Sequence, residues 1–359
     1  MSSRSAVRRL SVILLLLSLF AANCGADSGN PMPASPVSTK IPASILAIMR
    51  TPQYSKATWG LRVIDLSSGA VIYDLNPKRL LLTGSVRKLY SVGVTLNQLG
   101  PGYRFRTPVF RVGQVDSSGT LNGDLVLVAK GDLTMGGRDN GGDTIAITDF
   151  DHNDANNLGS AILTKPDPLA GLDKLAAQVA ASGITKVSGD VIVDNRLFAQ
   201  FRVPNQLLLI TPIIINDNRI DVTILPTQPG QNAVVEWRPH TAAFNVVANV
   251  MTVAAGGKTS VKLNQVAPGV GEVSGQIAAD YVRPLPGVET LVQTFSIGGA
   301  DAYQDPAAFA RTAFIEALER AGVTVTAPLL GPNPVSKLPA PDSYPPNTQV
   351  AELVSAPYA

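Results

Sequence analysis

Alternating apolar and polar positions near the start of the chain predict a β-hairpin. Trp59 to Asp65 suits a strand, residues 66–69 (Leu-Ser-Ser-Gly) suit a turn, and Ala70 to Leu75 suits the returning strand. Asn76-Pro77 then ends the hairpin, because proline has no backbone N–H to donate to a ladder.

In residues 85–99 the apolar positions follow the period of a helix rather than that of a strand. Leucine and valine recur there every three or four residues, and Gly100-Pro101 follows as a stop signal. The spacing predicts an amphipathic helix from Ser85 to Leu99 whose apolar stripe faces a core. The stripe consists of Leu89, Val92, Leu96 and Leu99.

Beyond that helix the pattern returns to strands. Phe105 to Val115 and Leu121 to Val128 alternate as strands do, with turn residues between them. Residues 187–275 are also strand-like, with frequent Gly, Pro and Asn. The proline-rich residues 327–348 predict an extended, irregular connection, and residues 351–355 begin a further strand.

Two segments share one set of helix signals. Asp167-Pro168 precedes a helix predicted to end at Ser182-Gly183, and Asp305-Pro306 precedes one predicted to end at Ala321-Gly322. Aspartate is a good cap, proline fits the first turn and glycine ends a helix. β-branched residues follow each helix, so both segments are predicted to be helix-to-strand units of one architecture.

Composition indicates a globular protein of two or three domains, with 359 residues of which 45% are hydrophobic and 16% charged. A net charge of +2 offers no basic surface for nucleic acid. Two histidines and one cysteine cannot build a multi-histidine zinc site, a Cys-x-x-Cys pair or an intrachain disulfide. We therefore expect no metal site of that kind and no cofactor.

Residues 1–26 have the pattern of an export signal. Three arginines precede an apolar run from Leu10 to Phe20, which is short for a membrane span. Removal of this signal would leave residues 27–44 as a flexible linker. The alternative is lipidation at Cys24, although Asn23 stands where a lipoprotein signal has a small residue. We expect the protein in the periplasm or cell-wall space, attached to a membrane only if Cys24 is lipidated.

The segment Ser85-Val86-Arg87-Lys88 is the candidate for covalent chemistry. A serine in the first turn of a helix and a lysine three residues later project from one face. A lysine amine kept neutral by burial or by a nearby positive charge can take the hydroxyl proton while the serine attacks a carbonyl. The alternative is that Ser85 only caps the helix, because Ser-x-x-Lys recurs by chance.

Other segments imitate functional motifs without matching them. Gly257-Lys258-Thr259-Ser260 is interpreted as a turn, since a phosphate loop needs glycine where Thr252 stands. Residues 149–154 open like a calcium loop but lack its glycine and its glutamate, which indicates a solvated acidic loop. Residues 269–275 miss dinucleotide-binding spacing by one residue, and His240 is interpreted as a structural loop residue.

In their order and spacing, several short segments resemble the low-molecular-mass class C penicillin-binding proteins, which are D-alanyl-D-alanine carboxypeptidases and endopeptidases of peptidase family S13. The resemblance covers most of residues 45–359. Its segments are Gly60–Asp65 with Gly69, Ser85–Lys88, Leu99–Thr107, Leu121–Leu127, Gly131-Asp132, Gly189–Asp194, Asn216–Asn218 and Glu352–Ser355.

The resemblance implies an α+β fold in which a serine β-lactamase-type transpeptidase domain is interrupted by β-rich insert domains. It assigns residues 45–100 to the first part of the transpeptidase domain and residues 101–315 to the inserts. Residues 316–359 would then begin the return to the transpeptidase domain.

The resemblance also implies a mechanism. Ser85 would be acylated by the penultimate D-alanine of a peptidoglycan stem peptide ending in D-Ala-D-Ala, Lys88 would be the general base, and water would release the peptide. β-Lactam antibiotics would acylate the same serine. No nucleic acid partner and no metal or cofactor is implied.

The family pattern needs two further motifs, Ser-x-Asn and Lys-Thr-Gly, and neither stands where it is expected. Asn216-Asp217-Asn218 imitates the first without its serine, and Gly257–Ser260 lies in the insert region. We therefore expect the C-terminal part of the catalytic domain to be missing. Two hypotheses stay open: an incomplete version of an active serine peptidase, or a natural truncation that binds the cell wall or a protein partner through its inserts.

Overall fold

The computed structural model describes residues 40–203, 208–282, 290–298 and 305–358. The predicted signal peptide with Cys24, and residues 27–39 of the predicted linker, lie outside these ranges. The last residues of that predicted linker are described, and a helix already begins at Ala43.

The elements of these ranges are numbered in chain order. The helices are α1 (Ala43–Met49), α2 (Lys88–Leu99), α3 (Ala155–Leu158), α4 (Ala170–Ala181) and α5 (Pro306–Arg320). The strands are β1 (Leu61–Ile64), β2 (Val71–Leu75), β3 (Arg106–Val115), β4 (Thr120–Val128), β5 (Lys186–Val187), β6 (Val191–Asp194), β7 (Phe201–Arg202), β8 (Leu209–Ile210), β9 (Arg219–Leu225), β10 (Val234–Arg238), β11 (Asn245–Val253), β12 (Ser260–Ala267), β13 (Val270–Ala278), β14 (Leu291–Ser296), β15 (Thr324–Val325) and β16 (Gln349–Val354).

The chain divides into an N-terminal unit, which ends at Val92, and a C-terminal unit, which begins at Gly93. In the N-terminal unit, β1 and β2 form the predicted antiparallel hairpin. Arg62 and Asp74 form an ion pair of 2.6 Å across it. The Asp65 carboxylate accepts hydrogen bonds from Ser67 and Ser68 in the turn. This part of the sequence prediction is confirmed.

The C-terminal unit is built on a six-stranded sheet with the order β15-β5-β4-β3-β16, in which β6 also pairs with β4. β3 and β4 form an antiparallel hairpin with Val109 opposite Leu127, as the alternation predicts. β16 adds to β3 in antiparallel orientation, with Leu353 opposite Thr107. β5, β6 and β15 run parallel to their neighbours.

The two predicted helix-to-strand units are present, and the strands of both belong to this sheet. α4 leads into β5 and α5 leads into β15, and these two short strands pair in parallel. Asp305 caps α5 by accepting a hydrogen bond from the Ala308 N–H. Asp167 does not cap α4: its carboxylate accepts the Leu169 N–H at 2.9 Å in the preceding turn, and the helix begins later, at Ala170. A local aspartate turn satisfies that carboxylate before the helix starts.

Alternation along β4 gives the sheet two buried faces. Leu125 and Leu127 share one apolar cluster with α4 and α5, including Leu172 and Phe314. Val126 and Val128 point to the other face, where Leu338 and Tyr344 of the proline-rich connection cover them. The connection is irregular, as predicted, and still contributes to the core.

Two three-stranded sheets extend the same core. β9 lies between β10 and β14, both antiparallel to it. β13 lies between β11, which is parallel to it, and β12, which is antiparallel. Buried residues of both sheets join the main cluster, among them Val222, Phe244 and Phe295.

The predicted domain boundaries stay predictions. The six-stranded sheet contains strands from both sides of the proposed boundary after residue 315, because β15 and β16 pair with β5 and β3. α5 also crosses that position. None of the helices seen in the described ranges is long and apolar enough to cross a bilayer.

Candidate functional site

Ser85 and Lys88 lie where an irregular turn becomes a helix. Residues Gly84–Arg87 form one turn of 3-10 helix, and α2 begins at Lys88 rather than at Ser85. The Lys88 N–H donates to the carbonyl oxygens of Ser85 and Val86. In a 3-10 turn, residues three apart lie one above the other, so the backbone keeps both side chains on one face.

Both side chains are exposed to solvent. Within the described part of the chain, no hydrogen bond or ion pair of the Ser85 hydroxyl or the Lys88 amine is found, so Ser85 does not cap the helix. The backbone thus presents a hydroxyl and an amine on the same face. Acyl transfer additionally needs a site that excludes water and presents donors to the developing oxyanion.

The predicted core-facing stripe of this helix is wrong for the described residues. Leu89, Val92, Leu96 and Leu99 are between 41% and 76% exposed. No residue of α2 is buried. The spacing of apolar residues predicted this helix and its C-terminal end, although the helix begins at Lys88. Burial of its apolar face depends on a tertiary neighbour that periodicity does not specify.

Three of the segments that carry the family resemblance, Leu99–Thr107, Gly131-Asp132 and Glu352–Ser355, are held together beside the six-stranded sheet. The Phe105 N–H donates to the Ser355 hydroxyl at 2.9 Å, and Arg106 pairs with Glu352 at 2.6 Å. The Tyr358 hydroxyl donates to buried Asp132 at 2.7 Å. Segments far apart in sequence are therefore held together at one end of β3 and β16.

The Gly-Asp pair at residues 123–124 of β4 contacts the Gly-Asp pair at residues 189–190 before β6. The Asp190 N–H donates to the Asp124 carboxylate at 2.6 Å. A Cβ atom at Gly189 would lie 2.3 Å from that same carboxylate, so only glycine fits there. Arg311 and Lys337 pair with Asp190, which ties α5 and the proline-rich connection to this contact.

The segments that resemble functional motifs without matching them lie in turns and loops of the described residues. Gly257 donates its N–H to Ala254 in a turn that leads to β12, as interpreted from the sequence. Gly269 lies in the turn between β12 and β13. His240 lies in the loop between β10 and β11.

The interpretation of residues 149–154 as a solvated acidic loop is wrong. His152 is only 4% exposed, and Asp151 and Asn153 are partly buried. The His152 ring contacts Asp221 through Nδ1 at 2.7 Å and Asp217 through Nε2 at 2.9 Å. The loop is therefore folded onto β9 and the turn before it.

Arginines complete a charged network around this histidine. Arg138 lies 2.7 Å from the carboxylates of both Asp151 and Asp217, and Arg238 donates to Asp221 at 3.0 Å. Burial lowers the pKa of His152, but the hydrogen bonds and charges of Asp217 and Asp221 outweigh it and raise the pKa to about 9. Three cationic groups thus face three carboxylates inside the fold.

Asp151, His152 and Asp217 are close enough together to suggest a metal site, with ligand atoms within 4.8 Å of one another. The donor set does not fit that role. Arg138 already pairs with both carboxylates, and a histidine with a raised pKa carries a proton at neutral pH where a metal ligand must be free. The geometry is that of an ion-pair network.

Sequence reasoning missed this network because its members are far apart along the chain. His152 and Asp217 are separated by 65 positions. One local signal existed: Asn216-Asp217-Asn218 adopts three successive left-handed conformations, with φ values of 50°, 52° and 53°. Among residues other than glycine, asparagine and aspartate adopt that region most readily, so such a run indicates a special turn.

Comparisons with known proteins agree with this architecture. The model of the D-Ala-D-Ala carboxypeptidase 3 (S13) family matches residues 41–357. A D-alanyl-D-alanine carboxypeptidase of an Actinomadura species is 26% identical over 306 residues, which cover 80% of this chain and 48% of that protein.

Solved structures of penicillin binding protein 4 from Haemophilus influenzae share the fold. One aligns with a TM-score of 0.54 at 16% identity, over 83% of this chain and 56% of that chain. A second, complexed with a β-lactam, aligns with a TM-score of 0.51 at 17% identity, over 82% and 54%. The α+β fold with insert domains is confirmed by this likeness.

The chain spans about half the length of the relatives that it matches. The match nevertheless runs from the residues before the hairpin to the end of β16, and it includes Ser85 and Lys88. This chain belongs to the D-Ala-D-Ala carboxypeptidase 3 (S13) family.

Proposed function

We propose that this chain carries the nucleophile of a serine-type D-Ala-D-Ala carboxypeptidase that acts on peptidoglycan stem peptides and is acylated by β-lactams. The observation that carries the proposal is the family match over residues 41–357, which includes a serine and a lysine three residues apart at the start of a helix.

The proposed chemistry has two steps. The Ser85 hydroxyl oxygen attacks the carbonyl carbon of the penultimate D-alanine while Lys88 takes the hydroxyl proton. That proton passes to the leaving terminal D-alanine as the peptide bond breaks. Water then attacks the ester, and Ser85 regains its proton as the shortened peptide leaves. A β-lactam would stop after the first step, because its ring opens without releasing a leaving group.

The test is covalent labelling of the natural protein. Fluorescent penicillin is added to the protein purified from the cells that make it, and the tryptic digest is sequenced by mass spectrometry. We expect the label on Ser85, within the peptide of residues 80–87. A Ser85→Ala variant should lose labelling by a thousandfold or more, on the order seen when a catalytic nucleophile is removed.

Thr83→Ala is the matched control, since it removes a hydroxyl two residues away from Ser85. It should keep the wild-type labelling rate. Labelling of another residue, or absence of label on a folded protein, would overturn the proposal. Absence of label would instead favour the non-catalytic protein that binds cell wall or a protein partner through its inserts.

We also propose that the protein is exported. The support is the arginine-led apolar run of residues 1–26. The intact mass of the protein recovered outside the cytoplasm tests it. Loss of the first 26 residues is expected, a lipid-sized increase at Cys24 would show lipidation instead, and an unprocessed chain in the cytoplasm would refute export.

A further inference from the structure

The chain contains two asparagines that are followed directly by glycine, Asn122-Gly123 and Asn140-Gly141. Such a pair can react with itself, because the backbone nitrogen of the glycine can attack the side-chain amide carbon of the asparagine. Glycine has no Cβ and allows the widest range of backbone conformations, so it hinders this approach least. The surroundings of each pair therefore decide whether the two atoms can meet.

The first pair is held inside a strand. Asn122 and Gly123 belong to β4, which pairs with β3 along one edge. On the other edge, the Gly123 carbonyl oxygen accepts the Gly189 N–H at 3.0 Å. The Asn122 side chain donates to the Asp116 carboxylate at 3.1 Å. Turning the backbone until the Gly123 nitrogen reached the Asn122 side chain would break this pairing, so the strand protects the pair.

The second pair lies in a turn that is exposed to solvent from Asn140 to Thr144. A bridge between Asp139 and Ile145 closes the turn. Gly141 has a φ of 76°, and a Cβ atom built there would have no neighbour within 4 Å. Among the described residues, the Asn140 side chain has no hydrogen-bond partner. The turn thus leaves room for the Gly141 nitrogen to approach the Asn140 side chain.

One contact opposes this approach. The Gly141 N–H donates to the Asp139 carboxylate at 2.8 Å, and Lys174 pairs with that carboxylate at 2.6 Å. Both of these side chains reach solvent, so water can replace the hydrogen bond to Gly141 at little net cost. A single exposed hydrogen bond restrains the Gly141 nitrogen less than the pairing of a central strand restrains Gly123.

We propose that Asn140 is a site of spontaneous covalent modification, at which the folded protein loses ammonia and gains a carboxylate. The Gly141 nitrogen attacks the carbonyl carbon of the Asn140 side chain and gives up its proton to water. The bond from that carbon to the side-chain nitrogen breaks, and the nitrogen takes up a proton and leaves as ammonia. A cyclic imide remains, and water opens it at either carbonyl to give aspartate or isoaspartate at residue 140.

The product changes the turn in two ways. Its new negative charge lies in sequence between Asp139 and Asp143, which pair with Lys174 and Arg104. Isoaspartate also adds one methylene group to the main chain of the turn. The modified protein therefore carries one more negative charge than the unmodified protein and separates from it on ion exchange.

Incubation of the purified protein at mildly alkaline pH, in water enriched in heavy oxygen, tests the proposal. Mass spectrometry of proteolytic peptides counts the conversion at each asparagine, and heavy oxygen marks only the carboxylates formed during incubation. We expect Asn140 to react at least about ten times faster than Asn122. A tenfold difference in rate corresponds to about 1.4 kcal/mol, the size of one backbone hydrogen bond that Asn122 must first break. No conversion at Asn140, or equal rates at the two pairs, would overturn the proposal.

The same incubation in urea shows whether the fold causes the difference. Once the strand pairing is lost, the two pairs should react at similar rates. A tenfold difference that persisted in the unfolded chain would overturn the structural explanation.

Asn140→Gln should abolish the fast reaction, because a glutamine side chain would have to close a larger ring. Asn122→Gln is the matched control and should leave the fast reaction unchanged. Fast formation of a more negative species in the Asn140→Gln variant would place the reactive residue elsewhere and refute the assignment.

Discussion

Two helices of equal length show how differently the two parts of the chain are built. α2 and α4 each have 12 residues and an apolar stripe at helical spacing. Five residues of α4 are buried, including Leu172 and Leu175, because α5 and β16 pack against it. No residue of α2 is buried among the described residues. Periodicity therefore defines a helix and its apolar face, but only a neighbour buries that face.

The same contrast holds for the larger regions. None of residues 40–92 is buried, although the proposed nucleophile lies there. The C-terminal unit holds the continuous apolar core and the His152 network. The part of the described chain that carries the proposed chemistry is thus not the part that supplies its stability. Substitutions in the two regions are expected to have effects of different kinds.

The largest effect on stability is expected for Leu172→Ala in α4. Leu172 is fully buried, so the substitution removes apolar contacts and leaves a cavity, at a cost of about 2–5 kcal/mol. Urea unfolding followed by circular dichroism measures the free energy of unfolding. A loss below about 1 kcal/mol would show that α4 is not part of a cooperative core.

A pH-dependent effect of intermediate size is expected from His152. Its pKa is raised to about 9 when folded, from an ordinary value near 6.5. The protonated ring therefore stabilises the fold fully below about pH 6.5, and this contribution is lost as the pH rises through 9. We expect a decrease on the order of 3 kcal/mol, since each pKa unit corresponds to about 1.4 kcal/mol.

Thermal unfolding at pH 6.5 and pH 9.5 measures this decrease. The groups facing the ring are Asp217 and Asp221, with Arg138 and Asp151 beside them. His152→Gln should be less stable than wild type at pH 6.5 and should lose less on alkalinisation. His240→Gln changes the other histidine, which lies outside the network, and should keep the wild-type profile. Equal alkaline losses in wild type and His152→Gln would refute the assignment.

The smallest effect on the free energy of unfolding is expected for Leu89→Ala. This substitution shortens a leucine in α2 as Leu172→Ala shortens one in α4. Leu89 is 76% exposed, and alanine favours a helix at least as well as leucine does. The free energy of unfolding should change by no more than about 0.5 kcal/mol. A loss comparable to that of Leu172→Ala would show that α2 is covered in solution, and the contrast between the two helices would disappear.

Local patterns predicted the elements well. The β1–β2 and β3–β4 hairpins, α5 with its Asp305 cap, and the two helix-to-strand units follow from alternation, turn residues and capping. The parallel pairing of β5 with β15 was not predicted. These signals work because they act over a few residues. The predicted cap at Asp167 shows where local patterns fail. Its carboxylate accepts a hydrogen bond in the turn before the helix and so does not cap the helix.

The candidate site was predictable only in part. Ser85 and Lys88 were proposed from their spacing, and they lie where a 3-10 turn becomes α2. Their surroundings were not predictable. The His152 network and the groove that Trp237 and Glu316 line each combine segments more than 60 residues apart, and no local pattern marks such a meeting.

The sequence by itself determined the family, the order of hairpins and helices, and the position of the serine and lysine, because these depend on short spacings and local hydrogen bonds. Only the tertiary structure decided which apolar stripes are buried, that the buried His152 ring lies between Asp217 and Asp221, and that Trp237 and Glu316 line one groove. The physical reason is that burial and electrostatics depend on neighbours in space, which the fold brings together from distant parts of the chain.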